Sequence, residues 1–334
     1  MPFPVFFSKN NFSYAGYFLF GLFSYIIHSM RRILFYTIKP EEDGMTVHHY
    51  LTLRGYSHAV FVQLKKIPHS IEVNGIWYYV TDILHTRDSL CITLDEPTSS
   101  LQIQAVPMTL DIIHEDEDIL VINKPADMPI HPSMNHYDHT LANGVMHYFA
   151  SLNIQHTFRC VNRLDRDTTG LTIIAKHMLS SAILSRQITS RDIHRTYLAI
   201  VEGDVPASGT IDAPIARKDG STIERIVNDT DGERAVTHYK KIAYQNGLSL
   251  VALQLETGRT HQIRVHMKHI GHPLIGDFLY NPESSLMARQ ALHSFCLTFT
   301  HPITNEPVAF YAPLPDDMRA FFPDISDEQL KQII

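Results

Sequence analysis

Apolar and polar positions alternate with a period near two along much of the chain, which is the pattern of half-buried strands. Thr196–Val201, Ala235–Ile242 and Leu248–Glu256 predict strands, as does Gln262–His266, where the alternation is strict. The last of these puts Gln262 and Arg264 on one face and Ile263 and Val265 on the other. Ile119–Ile122, Cys160–Leu164 and Leu171–Ala175 are short apolar runs that also predict strands. Helical spacing is rarer: Thr140–Phe149 and Met178–Arg191 carry it. Nearer the start, Val47, Tyr50 and Leu51 share one face of a helix over Thr46–Arg54, which Gly55 can end. Ser57 is placed to cap a second short helix, HAVFVQLKKI. A strand at Ile71–Val73, the hairpin signal Asn74-Gly75 and an alternating run at Ser89–Leu94 follow.

Two short helices ahead of a hairpin resemble the alpha-L RNA-binding motif, so an alpha-L-type RNA-binding module is expected over 30–95. The Pro/Ser/Gln-rich stretch from Glu96 on predicts a linker over 96–107. A larger domain is expected over 108–322, and a tail over 323–334. The fold class is α+β, with a large mixed, mostly antiparallel sheet and helices at its flanks.

Asn10–Met30 carries no Asp, Glu, Lys or Arg. It is long enough to cross a bilayer, which takes about 20 apolar residues, but is rich in Ser, Tyr, Asn and Gly. Lys9 is its only early positive charge, and no small-residue cleavage site follows. Residues 1–29 are therefore expected to be an apolar extension outside the fold, with a membrane anchor as the minority alternative.

Composition narrows the class. Among 334 residues, 44% are hydrophobic and 19% charged, which excludes wholesale disorder. Cys91, Cys160 and Cys296 are far apart and form no CxxC pair, so neither a disulfide framework nor a cysteine zinc site is supported. A reducing, cytoplasmic setting and a monomer are expected. The net charge of −7 argues mildly against nucleic acid. Local field matters more than the total, and basic residues cluster: Arg159, Arg163, Arg166, Lys176, Arg186, Arg191 and Arg195, then Arg259, Arg264 and Lys268.

Three segments could carry chemistry. In VNRLDRDTTGLTIIAKH an apolar run enters a loop of Arg163, Asp165, Arg166, Asp167, Thr168 and Thr169, and an apolar strand leaves after Gly170. Such a loop is a common seat for functional side chains, though a salt-bridged hairpin turn would look alike. Tyr197 in IHRTYLAIVEG reads by default as a core tyrosine. In LETGRTHQIRVHMKHIGHPLIGD, Arg264 has no acid nearby in sequence and calls for a carboxylate from elsewhere.

These segments resemble the signature motifs of the RluA-type (RluD-like) RNA pseudouridine synthases. NRLDRDTTG (162–170) is similar to HRLDxxTSG, Arg195-Thr196-Tyr197 to the second motif, and GRTHQIRVH (258–266) to GRTHQIRxH without change. EDEDILVINKPADMPIHPS, HIGHPLIGDFLYN and ALHSFCLTFTHP extend the likeness over roughly 108–315. Asn162 stands where His is usual, and Thr169 where Ser is frequent.

The resemblance implies a pseudouridine synthase catalytic fold and an isomerase that converts uridine in RNA to its C-glycoside. Asp165 matches the catalytic aspartate, Arg264 the arginine paired with it and Tyr197 the active-site tyrosine. Arg163 is similar to the residue that intrudes into the RNA. Arg166, Arg195, Arg259, His261, Gln262 and Lys268 complete the expected RNA-binding set, and Asp167 reads as structural or exposed. No cofactor or metal is implied, and His261, His266, His269 and His272 lack carboxylate or cysteine partners at ligand spacing. The expected partner is structured RNA: ribosomal RNA of the large subunit first, transfer RNA as an alternative. The competing class is a non-catalytic RNA-binding protein or RNA chaperone with the same fold. A protein that only binds has no need of a carboxylate facing phosphate-rich RNA, so the prediction turns on Asp165 and Arg264 meeting in space.

Overall fold

The computed structural model describes residues 28–96, 100, 102–133 and 137–333. Most of the stretch 10–30, with its possible anchor, lies outside them. Among the described residues no helix is long and apolar enough to cross a membrane.

The N-terminal module consists of β1 (His28–Thr37), α1 (Val47–Leu53), α2 (His58–Leu64), β2 (Ile71–Val73), β3 (Ile76–Trp77) and β4 (Ser89–Glu96). The strand opening the module begins at His28, so residues 28 and 29 belong to it. Its sheet has the order β3-β2-β4-β1 and closes at β1 on β7 (Ile154–Gln155) of the larger domain. Ser57 precedes α2, but its side chain makes no capping hydrogen bond.

The larger domain adds β5 (Ile112–Glu115), β6 (Ile119–Lys124), α3 (Leu141–Ser151), β8 (Thr169–Ala175), α4 (Met178–Ser190), β9 (His194–Glu202) and β10 (Ser208–Asp212). A small hairpin, β11 (Ile215–Arg217) and β12 (Arg225–Val227), stands off from the main sheet. Then come β13 (Val236–Gln245), β14 (Leu248–Leu255), α5 (Gln262–His269), β15 (Leu292–Thr300), β16 (Pro307–Tyr311), α6 (Asp316–Arg319) and α7 (Asp327–Ile333). The main sheet runs β10-β13-β14-β9-β15-β8-β6-β5, with β16 also on β15. Every pairing in it is antiparallel except β15 with β8.

Alternation sorts the strands' side chains onto two faces. Leu120, Ile122 and Ile174 meet Leu141, Val145 and Phe149 of α3, whereas Val121, Leu171 and Ile173 meet Leu184 of α4. On β9, Leu198 and Ile200 pack with Met318, Phe322 and Leu330, and Tyr197, Ala199 and Val201 pack with Ile263 and Met267 of α5. Leu330 is fully buried, so the last residues form a helix seated on the core.

Two segments differ from the sequence expectation. Cys160–Leu164 is irregular apart from one bridge of Cys160 to Ile174. Gln262–His266 is the start of helix α5 and not a strand. Its period-two alternation arises because the helix is covered on several sides, and its polar residues are buried by hydrogen bonding.

The module packs directly on the larger domain. Leu179 and Ile183 of α4 join its core. Arg32 bonds Asp118 at 2.8 Å, and buried Glu96 accepts the backbone N–H of Met178 at 2.6 Å and pairs with Arg159.

Candidate active site

The loop between Cys160 and β8 is held by its own backbone. Asn162 is buried; its amide donates to Leu171 O at 3.0 Å and its Oδ1 accepts from Ile173 N at 2.8 Å. A side-chain amide makes both bonds at the position where histidine is usual in the motif it resembles. Asp165 O accepts from Thr168 N at 3.1 Å. Arg166 O takes Met128 N at 3.2 Å and the Lys124 ammonium at 2.8 Å, while Asp167 O takes Arg289 at 3.3 Å. Lys124 is fully buried and also bonds the carbonyls of Pro125 and Met128. Burial pushes its pKa down to about 7. Gly170, at φ +104°, lies so close to β15 that a Cβ would stand 2.3 Å from Ser294 O. Only glycine lets β8 run against β15 here, and that contact fixes where the loop leaves the sheet.

Facing the loop is α5. Gln262 and His266, four residues apart, point at β13: Gln262 donates to Val236 O and Thr237 Oγ1, and His266 meets Thr237 Oγ1 and Ala213 O. Arg264 projects from the opposite side. Its Nη1 donates to Asp165 Oδ2 at 3.1 Å. Its Nε and Nη2 form a two-pronged pair with Asp277, at 2.7 and 2.8 Å. Asp277 is fully buried and also accepts the backbone N–H groups of Leu279 and Tyr280. Sequence reasoning missed Asp277, although it lies in the stretch HIGHPLIGD. The signal available was Arg264's need for an acid, which this aspartate meets only because the chain turns back beyond α5.

Asp165 and Arg264 line a cleft of about 840 Å³. Arg163, Arg195, Tyr197, Arg259 and His261 share its wall. Tyr197 is buried, and burial pushes its phenol pKa up, so the hydroxyl stays protonated at neutral pH. His261 caps α5 in a left-handed conformation at φ 58°, bonds Tyr280 OH at 2.9 Å, and holds Nε2 3.9 Å from Asp165 Oδ2. Burial lowers its pKa despite the attraction of Asp165. The Nε of Arg195 is buried without a hydrogen-bond partner among the described residues.

Three of the expected RNA-binding residues face elsewhere. Gln262 touches the cleft, but its side-chain amide is spent inside the protein, also accepting from Thr257 Oγ1 and Arg259 N. Arg166 turns to Asp167 and Asp127. Lys268 lies outside the cleft wall, with its ammonium 5.7 Å from the Tyr280 ring.

Asp116, Asp118 and His301 have ligand atoms within 4.8 Å of one another. Those atoms are already engaged: Asp116 Oδ2 accepts from His114 and His301, and Asp118 from His177 and Arg32. None of the three lines the cleft. They form an ion-pair cluster where the module meets the larger domain.

The RNA pseudouridylate synthase family model matches residues 118–269, a span that includes Asp165, Tyr197 and Arg264. Over 275 residues, 82% of this chain and 97% of the relative, the sequence is 42% identical to the uncharacterized RNA pseudouridine synthase YjbO of Bacillus subtilis (strain 168). It is also 42% identical, over 70% of this chain and 78% of the relative, to ribosomal large subunit pseudouridine synthase D of Zymomonas mobilis. Among solved structures, human RNA pseudouridylate synthase domain containing 1 superimposes with a TM-score of 0.55 at 26% identity, covering 67% of this chain and 94% of that one. With the α+β fold and the motif order already described, these likenesses identify the chain as an isomerase belonging to the RluA-type family of RNA pseudouridine synthases.

Proposed function

We propose that this protein isomerises specific uridines in large-subunit ribosomal RNA, with Asp165 acting on the anomeric carbon of a nucleotide flipped into the cleft. One observation carries the chemistry: a carboxylate at the wall of an arginine-lined cleft, bonded at 3.1 Å to a buried guanidinium. The ribosomal target is supported by the similarity to pseudouridine synthase D.

Isomerisation breaks N1–C1′, forms C5–C1′, and ends with loss of the C5 proton and gain of one at N1. Positive charge develops at C1′ as the first bond breaks. A carboxylate held in place stabilises that charge, whether it attacks the carbon or only faces it. Arg264 orients Asp165 and favours its ionised form. The ring of Tyr197 offers the base a stacking face, and its protonated hydroxyl can exchange a proton late in the reaction. Extruding the nucleotide costs a few kcal/mol; Arg163 at the cleft wall is placed to occupy the gap.

The test is Asp165→Asn, which keeps size and shape. The variant should bind RNA and unfold as the wild type does, yet release no tritium from [5-³H]uridine-labelled ribosomal RNA. Wild-type rates in that variant would remove Asp165 from the chemistry, whereas no release by the wild type itself would return the protein to the RNA-binding or chaperone class.

A further inference from the structure

A second cavity, of about 350 Å³, opens beside the catalytic cleft and shares Arg163, Gly258, Arg259 and Thr260 with it. Its far wall is the small hairpin of β11 and β12, which brings Arg217 and Arg225. The two are register partners, directly opposite across the strands. Like charges in that position repel, and neither side chain has an ion-pair partner among the described residues. Arg217 is exposed and makes no hydrogen bond or ion pair among the described residues. Arg225 reaches only the carbonyls of Ile223 and Glu224. Nearby Lys218 and Glu224 satisfy each other at 2.7 Å. Two acids line the cavity, Asp231 and Glu233, and Glu233 is taken by Arg259. Three arginines without an acid partner among the described residues, Arg163, Arg217 and Arg225, thus share the cavity with one uncommitted carboxylate, Asp231.

We propose that this cavity is an anion site for a phosphodiester of the RNA strand, beside the nucleotide held over Asp165. The inference rests on the proposed function, because the shared wall makes the cavity an extension of the cleft in which the target lies. Guanidinium forks suit a tetrahedral phosphate, and the volume is at the small end of ligand pockets, which span about 300–1,000 Å³. Bound phosphate would relieve the Arg217–Arg225 repulsion that the free protein carries.

The full-length chain is compared with R217Q, R217Q/R225Q and R217K for binding an unmodified large-subunit ribosomal RNA transcript across a salt series. The double variant should bind about tenfold more weakly at low salt. Its plot of log affinity against log salt should be shallower by about 0.7–0.9, the counterion equivalent of one phosphate. R217Q should shift the same way by less, and because the Arg217 side chain makes no bond among the described residues its loss should not disturb folding. R217K, which retains the charge, should retain the wild-type slope. Equal affinities and slopes for the wild type and R217Q/R225Q would overturn the site. Tritium release is read separately: wild-type protein that binds with a steep slope and releases none would sink the isomerase assignment and not the phosphate site.

Discussion

The floor of the cleft and its rim use the same residue type in opposite ways. At the floor, Arg264 is almost wholly buried and its guanidinium is shared by Asp277 and Asp165. At the rim, Arg163 and Arg217 are exposed and have no carboxylate partner among the described residues. A buried cation must find its anions inside the protein, because desolvation is otherwise too costly. An exposed cation keeps its water until an anion arrives, so its favourable energy remains available for ligand. The floor is therefore built for geometry and the rim for affinity.

Breaking the floor should have the largest effect on the protein itself. Asp277→Ala leaves the Arg264 guanidinium buried with one carboxylate, which typically costs about 3–5 kcal/mol. A urea titration should show this as a lowered midpoint. Residual tritium release should fall as well, because the Arg264 plane loses its two-pronged partner. A wild-type midpoint would mean that the two-pronged pair contributes little.

Arg264→Lys separates charge from shape. Lysine keeps the charge but cannot hold Asp277 with two prongs and donate to Asp165 at once. The release rate at saturating RNA should drop at least ~100-fold, with RNA affinity within about twofold because the residue lies below the rim. A loss confined to affinity would move Arg264 from the floor to the RNA contacts.

Titration sharpens the contrast, since rim arginines do not change charge at accessible pH. His293 ties β8, the strand after the Asp165 loop, to β15 through Thr169 Oγ1 at 2.9 Å, and burial pushes its pKa down to about 4. Its folded pKa lies below the unfolded value of about 6.5, so the unfolded chain binds more protons between those limits. Stability should decline as pH falls through that window, by up to about 1.4 kcal/mol per pH unit. His156, lowered to about 3 by burial, acts with the same sign. His293→Gln should therefore reduce the slope of urea stability against pH, by up to about 1.4 kcal/mol per pH unit within that window. An unchanged slope would show that His293 is not buried neutral in the folded protein.

The same contrast governs what could be read from sequence. Strands β6, β8, β9, β13 and β14 were legible because apolar runs bounded by polar residues are local signals. The meeting of Asp165 and Arg264 was expected from motif resemblance and from the arginine's lack of a nearby acid. Helix α5 was misread because Gln262 and His266 are polar residues buried by bonds to β13, which mimics alternation. Asp277 stayed hidden because its partner is set by the turn after α5. Lys124 likewise carries no local sign that three backbone carbonyls will converge on its ammonium. Arg217 and Arg225 look like ordinary hairpin charges until their register is known. Local pattern reports what faces water, whereas the groups that fix Asp165 are polar and buried by long-range contacts.

The smallest effect on the fold should come from Arg163→Ala. The side chain is exposed, lines both cavities and has no hydrogen bond or ion pair among the described residues. Its removal should change stability by no more than about 0.5 kcal/mol. RNA affinity should nevertheless weaken and its salt dependence become shallower. If Arg163 also fills the space vacated by the flipped nucleotide, the variant should lose release rate at saturating RNA on a paired target, but not on one already single-stranded, where no stack must be opened. Equal losses on the two targets would reduce Arg163 to a phosphate contact and leave gap filling to another residue. A paired-target loss alone would show that the rim also supports the act of flipping, and would narrow the division between a floor for geometry and a rim for affinity.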